Sequence, residues 1–295
     1  MKIKKTAPGI VADAIIYSVV TVMTLAALYP IWHVFMASIS NPFTLFSHRG
    51  LLLWPQGEAT LMGYQMTFKN PNIWSGYRNT LFYVVAGTSF NLFFTTLCAY
   101  VMSKKYMKIR KLMSTMVIIT MFFGGGMIPT FFVIKSLGFY NTVWAILLPS
   151  AISSYNVIVM RTFFANIPVE LEEAAFIDGA GDATILFRVY LPLSKAIFAV
   201  MLLFYGVGRW NSWFDSMLYL RNSKLHPLQY VLRSILASAD SNAVITTSEE
   251  MANESVYNEI IRYCTIMVAT LPVLFVYPFL QKYFVKGVMV GSLKG

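Results

Sequence analysis

Two stretches of this 295-residue chain carry residue types that could do chemistry. The first, Glu173 to Pro192, reads EAAFIDGAGDATILFRVYLP and sets acids and glycines between long apolar runs. Acids in the first turn of a helix-forming segment, followed by glycines where the chain can reverse, suit two short helices joined in a compact, rigid knob. The second, Arg209-Trp210-Asn211-Ser212-Trp213-Phe214-Asp215, places charges and amides within an otherwise apolar run. Ionisable groups within a membrane run face the bundle interior or a water-filled cavity and mark a candidate solute path. Tyr155 and Asn156 place polar groups in another apolar run. The pattern of a catalytic centre is missing. His33, His48 and His226 are scattered, so no metal site is visible, and Cys98 and Cys264 sit in apolar runs without CxxC spacing. No stretch matches G-x-x-x-x-G-K-[ST], DxD or HxxxH.

The elements that must position these residues are membrane spans. The chain is 57% hydrophobic and 12% charged, with a mean hydropathy of +0.61; a soluble domain carries about 25% charged residues. Runs of about 20 apolar residues are needed to cross a bilayer, and the sequence predicts an all-α integral membrane protein with about six of them. They lie at Val11 to about Ser38, about Asn79–Met102, Leu112–Ile134, Asn141–Phe163, Leu193–Leu220 and Ile260–Leu280. The first begins after a basic tail, is too long for a signal peptide and lacks a small-residue cleavage site. Asn41 to Tyr77 reads as a polar outer connection. The third span contains Gly124-Gly125-Gly126 and Pro129, consistent with a bent helix beside a translocation path or with close helix packing. Pro149 and Ser153-Ser154-Tyr155-Asn156 interrupt the fourth.

A net charge of +10 does not call for nucleic acid here, because the basic residues sit in short loops beside apolar runs. Three lie in the N-terminal tail, five between Lys104 and Lys111, three between Arg161 and Lys195, and three in the C-terminal tail. The positive-inside rule therefore puts both termini and the Glu173–Pro192 stretch on the cytoplasmic face.

Within that stretch, Ile167-Pro168 breaks the preceding segment, Val169 to Ala175 is helix-forming, Gly179 and Gly181 bracket a turn, and Asp182 to Tyr190 forms a second short helix before Pro192. Glu173-Ala174-Ala175, then Gly179, then nine residues, then Val189-Tyr190-Leu191-Pro192 resembles the EAA loop of binding-protein-dependent ABC importer permeases. The resemblance extends over nearly the whole chain. Gly125 to Thr130, Leu137-Gly138, Asn141 to Ala145, Arg161 to Phe164, Pro227 to Gln229 and the tail Phe284 to Gly287 are similar to carbohydrate-uptake permeases, namely the maltose-type second permease and oligo- or polysaccharide relatives.

That resemblance implies an importer-type helical fold. It divides into residues 1–75 (tail, first span, outer connection), a permease core at 76–285 with the EAA loop at about 168–192, and a cytoplasmic tail at 286–295. It implies a second related permease subunit, two copies of a cytoplasmic ATPase carrying ATP and Mg, an extracytoplasmic solute-binding protein, and lipid around a multi-pass chain in a bacterial plasma membrane. No cofactor is expected in the chain itself. The ATPase-coupling residues would be Glu173, Ala174, Ala175, Asp178, Gly179, Leu191 and Pro192: small Ala174 and Ala175 for close approach, Gly179 for the turn, Glu173 for charge.

Sugar-path candidates are Tyr155, Asn156, Arg209, Trp210, Asn211, Trp213 and Asp215. On a continuous helix, Trp210 and Trp213 share a face, as do Asn211 and Asp215. The alternative for the cluster is an interfacial aromatic belt, and for Tyr155 and Asn156 interhelical hydrogen bonding. Asn222 to Asn258 is either a loop meeting the binding protein or a solvated loop. Two other functions stand beside a carbohydrate importer: a permease of the same superfamily for a non-sugar solute, and a multi-span membrane enzyme.

Overall fold

The computed structural model describes residues 7–242 and 249–292. The basic residues Lys2, Lys4 and Lys5, and part of the acidic outer segment, lie outside them. The described chain is helical: α1 (Ala7–Ser38), α2 (Pro42–Ser47), α3 (Met62–Lys69), α4 (Pro71–Ser103), α5 (Arg110–Phe122), α6 (Met127–Ser136), α7 (Trp144–Leu147), α8 (Ser154–Phe164), α9 (Val169–Ile177), α10 (Asp182–Ile185), α11 (Leu191–Leu193), α12 (Lys195–Trp210), α13 (Phe214–Tyr219), α14 (Leu228–Asn242) and α15 (Glu249–Ser292). The chain forms two compact units, Met1–Asn70 with Ser234–Leu271, and Pro71–Arg233 with Pro272–Gly295.

In the first unit, Met36, Ala37, Leu45 and Leu52 form a small core with Ile39 and Tyr263 packed on it. Its helices meet closely: the Cys264 thiol donates to the Ser38 carbonyl at 3.3 Å. A Cβ at Gly63 would come within 2.6 Å of the Cys264 Sγ.

The second unit is organised on α4, against which α12 and α8 make the most extensive contacts. Ala99 and Tyr100 of α4, Met160 and Phe164 of α8, and Ile197, Val200, Met201 and Tyr205 of α12 share one core with Ile185, Leu186 and Tyr190.

Of the six spans the sequence predicts, three are single long apolar helices: Pro8–Ser38, Pro71–Ser103 and Val256–Pro278. The first turns of α4 are residues 71–77, which the sequence reading assigns to the outer connection. The other three spans are broken, the third and fourth at the glycine and proline stretches visible in the sequence and the fifth where the sequence reads as continuous. The third divides into α5 and α6 at Gly124–Gly126, where Gly126 takes φ +82°. The fourth divides into α7 and α8 around Pro149. The fifth divides into α12 and α13 at Asn211–Trp213. Breaks within a bilayer are tolerated only where protein or a water-filled cavity meets the freed backbone groups.

Candidate functional site

The Glu173–Pro192 stretch folds as two helical arms around a glycine turn. α9 ends in a Schellman cap. Ala180 N–H donates to Ala175 O at 2.9 Å and Gly179 N–H to Phe176 O at 3.0 Å. Gly179 takes φ +79°, the left-handed conformation this cap requires. Gly181 does not share that role; its backbone is extended, at φ −79° and ψ 166°. The second arm runs further than Tyr190. α10 passes through a π-helical turn, Leu186–Tyr190, into α11, and the chain then bends by 85° at Ser194 into α12. Pro192 lies inside this arm and not at its end.

The face of the knob carries the coupling candidates. Glu173, Ala174, Asp178, Gly179 and Pro192 are exposed, while Ala175 and Leu191 are half-buried against the core beneath. The acid that holds the knob in place is the neighbouring Glu172. Its Oε1 lies 2.7 Å from Lys104 Nζ, at the end of α4, with the two side chains 8% and 2% exposed. Its Oε2 accepts from Tyr190 Oη at 2.9 Å. The ammonium lies 3.8 Å from the Tyr190 ring centroid and 4.4 Å from that of Tyr100. Burial pulls Lys104 below the usual lysine range, and the bond to Glu172 pulls it back. Asp182, at the start of the second arm, accepts from Tyr106 and Tyr100 through its carboxylate, and its carbonyl accepts from Tyr100 at 3.2 Å. Burial and then this carboxylate hydrogen bond push the Tyr106 phenol up. A sequence reading weighs Lys104 as one of five loop cations and Glu172 as one of several acids; only the helix phase that turns Glu172 inward distinguishes them.

The second group of candidates divides. Asn156, Arg209 and Asp215 line a cleft of about 310 Å³ together with Asn91, Ser150, Ser153, Tyr205 and Ser212. The others point elsewhere. α12 ends at Trp210, Asn211 caps it, and Trp213 precedes α13, so the face-sharing expected of a continuous helix does not hold. Trp210 lines an apolar groove of about 440 Å³ with Tyr77, Leu203 and Val273, and packs edge-on to Tyr77. Trp213 stacks under the Arg233 guanidinium, 3.8 Å from its ring centroid. Asn211 and Tyr155 are exposed and line none of these cavities.

Arg209 is committed to the protein. Its Nη1 donates to Ile146 O at 2.7 Å, its Nη2 to Leu147 O and Ser150 O at 3.3 Å each, and its Nε to Asn91 Oδ1 at 3.1 Å. Asn91, fully buried on α4, donates to Ser150 O and Ala151 O. Together the two side chains satisfy the carbonyls freed where the fourth span breaks. Gly87 makes room for this guanidinium: a Cβ there would lie 2.7 Å from Nε. Asn91 has a visible signal, an amide inside the apolar run of α4. Its partner carbonyls have none.

Residues 88–214, which contain the knob and every cleft residue named above except Asp215, match the family described as binding-protein-dependent transport system inner membrane component. Protein LplC of Bacillus subtilis is 41% identical over 91% of this chain and 90% of its own length. The polygalacturonan/rhamnogalacturonan transport system permease protein YtcP of the same organism is 38% identical, over 96% of this chain and 98% of its own. Among solved structures, a chain of a bacterial ABC transporter involved in the import of the acidic polysaccharide alginate superposes with a TM-score of 0.86 at 31% identity. The match covers 96% of this chain and all of that one. A helical knob beside a broken-span core, matched over almost its full length, makes this chain a member of the binding-protein-dependent ABC importer permeases: a membrane transport subunit, not an enzyme, of a family that works with an ATPase and a solute-binding protein.

Proposed function

We propose that this permease imports oligosaccharides bearing acidic sugars, driven by ATP hydrolysis on a separate ATPase seated on the Glu173–Pro192 knob. The observation that carries the cargo class is the near-full-length likeness to two proteins whose cargoes are acidic polymers, polygalacturonan/rhamnogalacturonan and alginate. The 310 Å³ cleft supports sugar contact on this chain, since Asn156, Ser153, Ser212 and Asp215 offer it amide, hydroxyl and carboxylate groups. With its guanidinium taken by backbone carbonyls, Arg209 shapes the cleft wall.

The complex comprises this chain, a second related permease, two ATPase copies holding ATP and Mg, and an external solute-binding protein. The knob and both termini face the cytoplasm. The ion pair between Lys104, first of the basic loop, and Glu172 supports placing that loop and the knob on one membrane face. Closure of the two ATPases draws the knobs together, and the helices packed on them rock as rigid bodies so that the cleft opens alternately to either side. Exposed Glu173 supplies the charge that meets the ATPase.

The test is ATP hydrolysis by the complex reconstituted with its binding protein, supplied with uronate-containing or neutral oligosaccharides of equal length. Stimulation by the acidic series is expected. Equal stimulation by the neutral series refutes the acidic cargo, and stimulation by neither refutes carbohydrate import.

A further inference from the structure

Glu172 and Lys104 are buried and charged, yet neither lies on the exposed face of the knob nor in the sugar cleft. A surface ion pair is worth little, and a buried one is weak evidence for stability because desolvating both charges offsets most of the attraction. Lys104 and Glu172 are instead placed where a joint would be. Glu172 belongs to α9, the first arm of the knob. Its two carboxylate oxygens reach different elements: Oε1 the Lys104 ammonium at the end of α4, Oε2 the Tyr190 hydroxyl in the π-helical turn of the second arm. The aromatic seal completes the joint, with Tyr190 edge-on to Tyr100 of α4 at 5.2 Å and to Phe164 of α8 at 5.5 Å between ring centroids.

The other partner, α4, is an unbroken helix of 33 residues. Thirteen residues before Lys104 it carries Asn91, which lines the sugar cleft and holds Arg209 and the broken fourth span. At 1.5 Å per residue this is a rod of about 20 Å between joint and cleft. A force applied at α9 therefore has a direct physical route to the cleft, with few rotatable bonds in it.

We propose that Glu172, bonded to Lys104 and Tyr190, is the positioning residue that fastens the ATPase-docking knob to α4 and thereby ties cleft movement to ATP hydrolysis. The inference rests on the importer reading above and adds the link by which that importer is coupled.

The experiment uses the whole complex in vesicles with its binding protein and measures two quantities: the amount of assembled complex, and the oligosaccharide transported per ATP hydrolysed. Glu172→Gln leaves the Lys104 ammonium buried without a counter-charge, Lys104→Met does the same to the Glu172 carboxylate, and assembly falls. Glu172→Gln combined with Lys104→Met removes both charges and recovers assembly. A residue serving only the fold would then return transport per ATP to the wild-type value. A joint would not, and the ratio in the assembled double variant falls roughly fivefold or more, the scale of an energetic coupling between sites. Tyr190→Phe removes one hydroxyl and keeps the ring, so the same ratio falls in a complex whose packing is intact. A wild-type ratio in both the double variant and Tyr190→Phe overturns the joint. Should the double variant not assemble, Tyr190→Phe decides alone. A wild-type complex that moves no oligosaccharide overturns the importer reading, and the joint with it.

Discussion

A methyl group added at Gly87 would sit 2.7 Å from Arg209 Nε, 3.1 Å from Cδ and 3.2 Å from Cζ. An arginine with a free guanidinium would swing aside at little cost. This one is held by Asn91 and by the carbonyls of Ile146, Leu147 and Ser150, so yielding to the methyl means loosening bonds in a buried site. Losing a hydrogen bond to a charged group costs about 1.5–3 kcal/mol. The better helix propensity of alanine returns up to about 1 kcal/mol. Gly87→Ala is therefore expected to destabilise the chain by about 0.5–2 kcal/mol net. Gly208→Ala on α12 is the matched control: no atom lies within 4 Å of its added Cβ, so only the propensity gain remains. Both variants can be followed by thermal unfolding in detergent, read by a thiol-reactive dye at the fully buried Cys264. A Gly87→Ala chain as stable as Gly208→Ala would refute the claim that Arg209 is a fixed clamp on the broken fourth span.

Further outcomes follow from the knob. Gly179→Ala meets no steric clash but must adopt φ +79°, costing about 1–2 kcal/mol; ATPase co-purification should fall, and Gly179→Asn should retain more of it. Glu173→Ala should leave thermal stability within about 0.5 kcal/mol, as for other exposed substitutions, while weakening ATPase retention; wild-type retention would remove Glu173 from the docking face. In the detergent-solubilised chain, an amine-reactive label followed by peptide mass mapping should modify exposed Lys105 and spare buried Lys104. Equal labelling would contradict the buried ion pair.

Residue order alone places this protein in its class. Apolar run length, the basic loops and the EAA spacing follow from local residue order, because bilayer thickness and helix rise convert directly into residue counts. The turn at Gly179 was legible for the same reason: a left-handed cap needs a glycine at that one position. Partnerships between distant residues arise only on packing. The sequence marks the fourth span as interrupted at Pro149 and reads the fifth as continuous, but neither Pro149 nor Asn211 reveals which distant residues meet the backbone groups freed there. The break survives because Asn91 and Arg209, on two other helices, meet its carbonyls. Arg209 accordingly looks in sequence like a ligand-binding cation and proves to be a backbone clamp. Likewise the sequence offers Glu172 and Glu173 as adjacent equals. Helix phase turns one outward to solvent and the other inward onto Lys104 and Tyr190, 68 residues before it and 18 after, and that pairing exists only once the helices have packed.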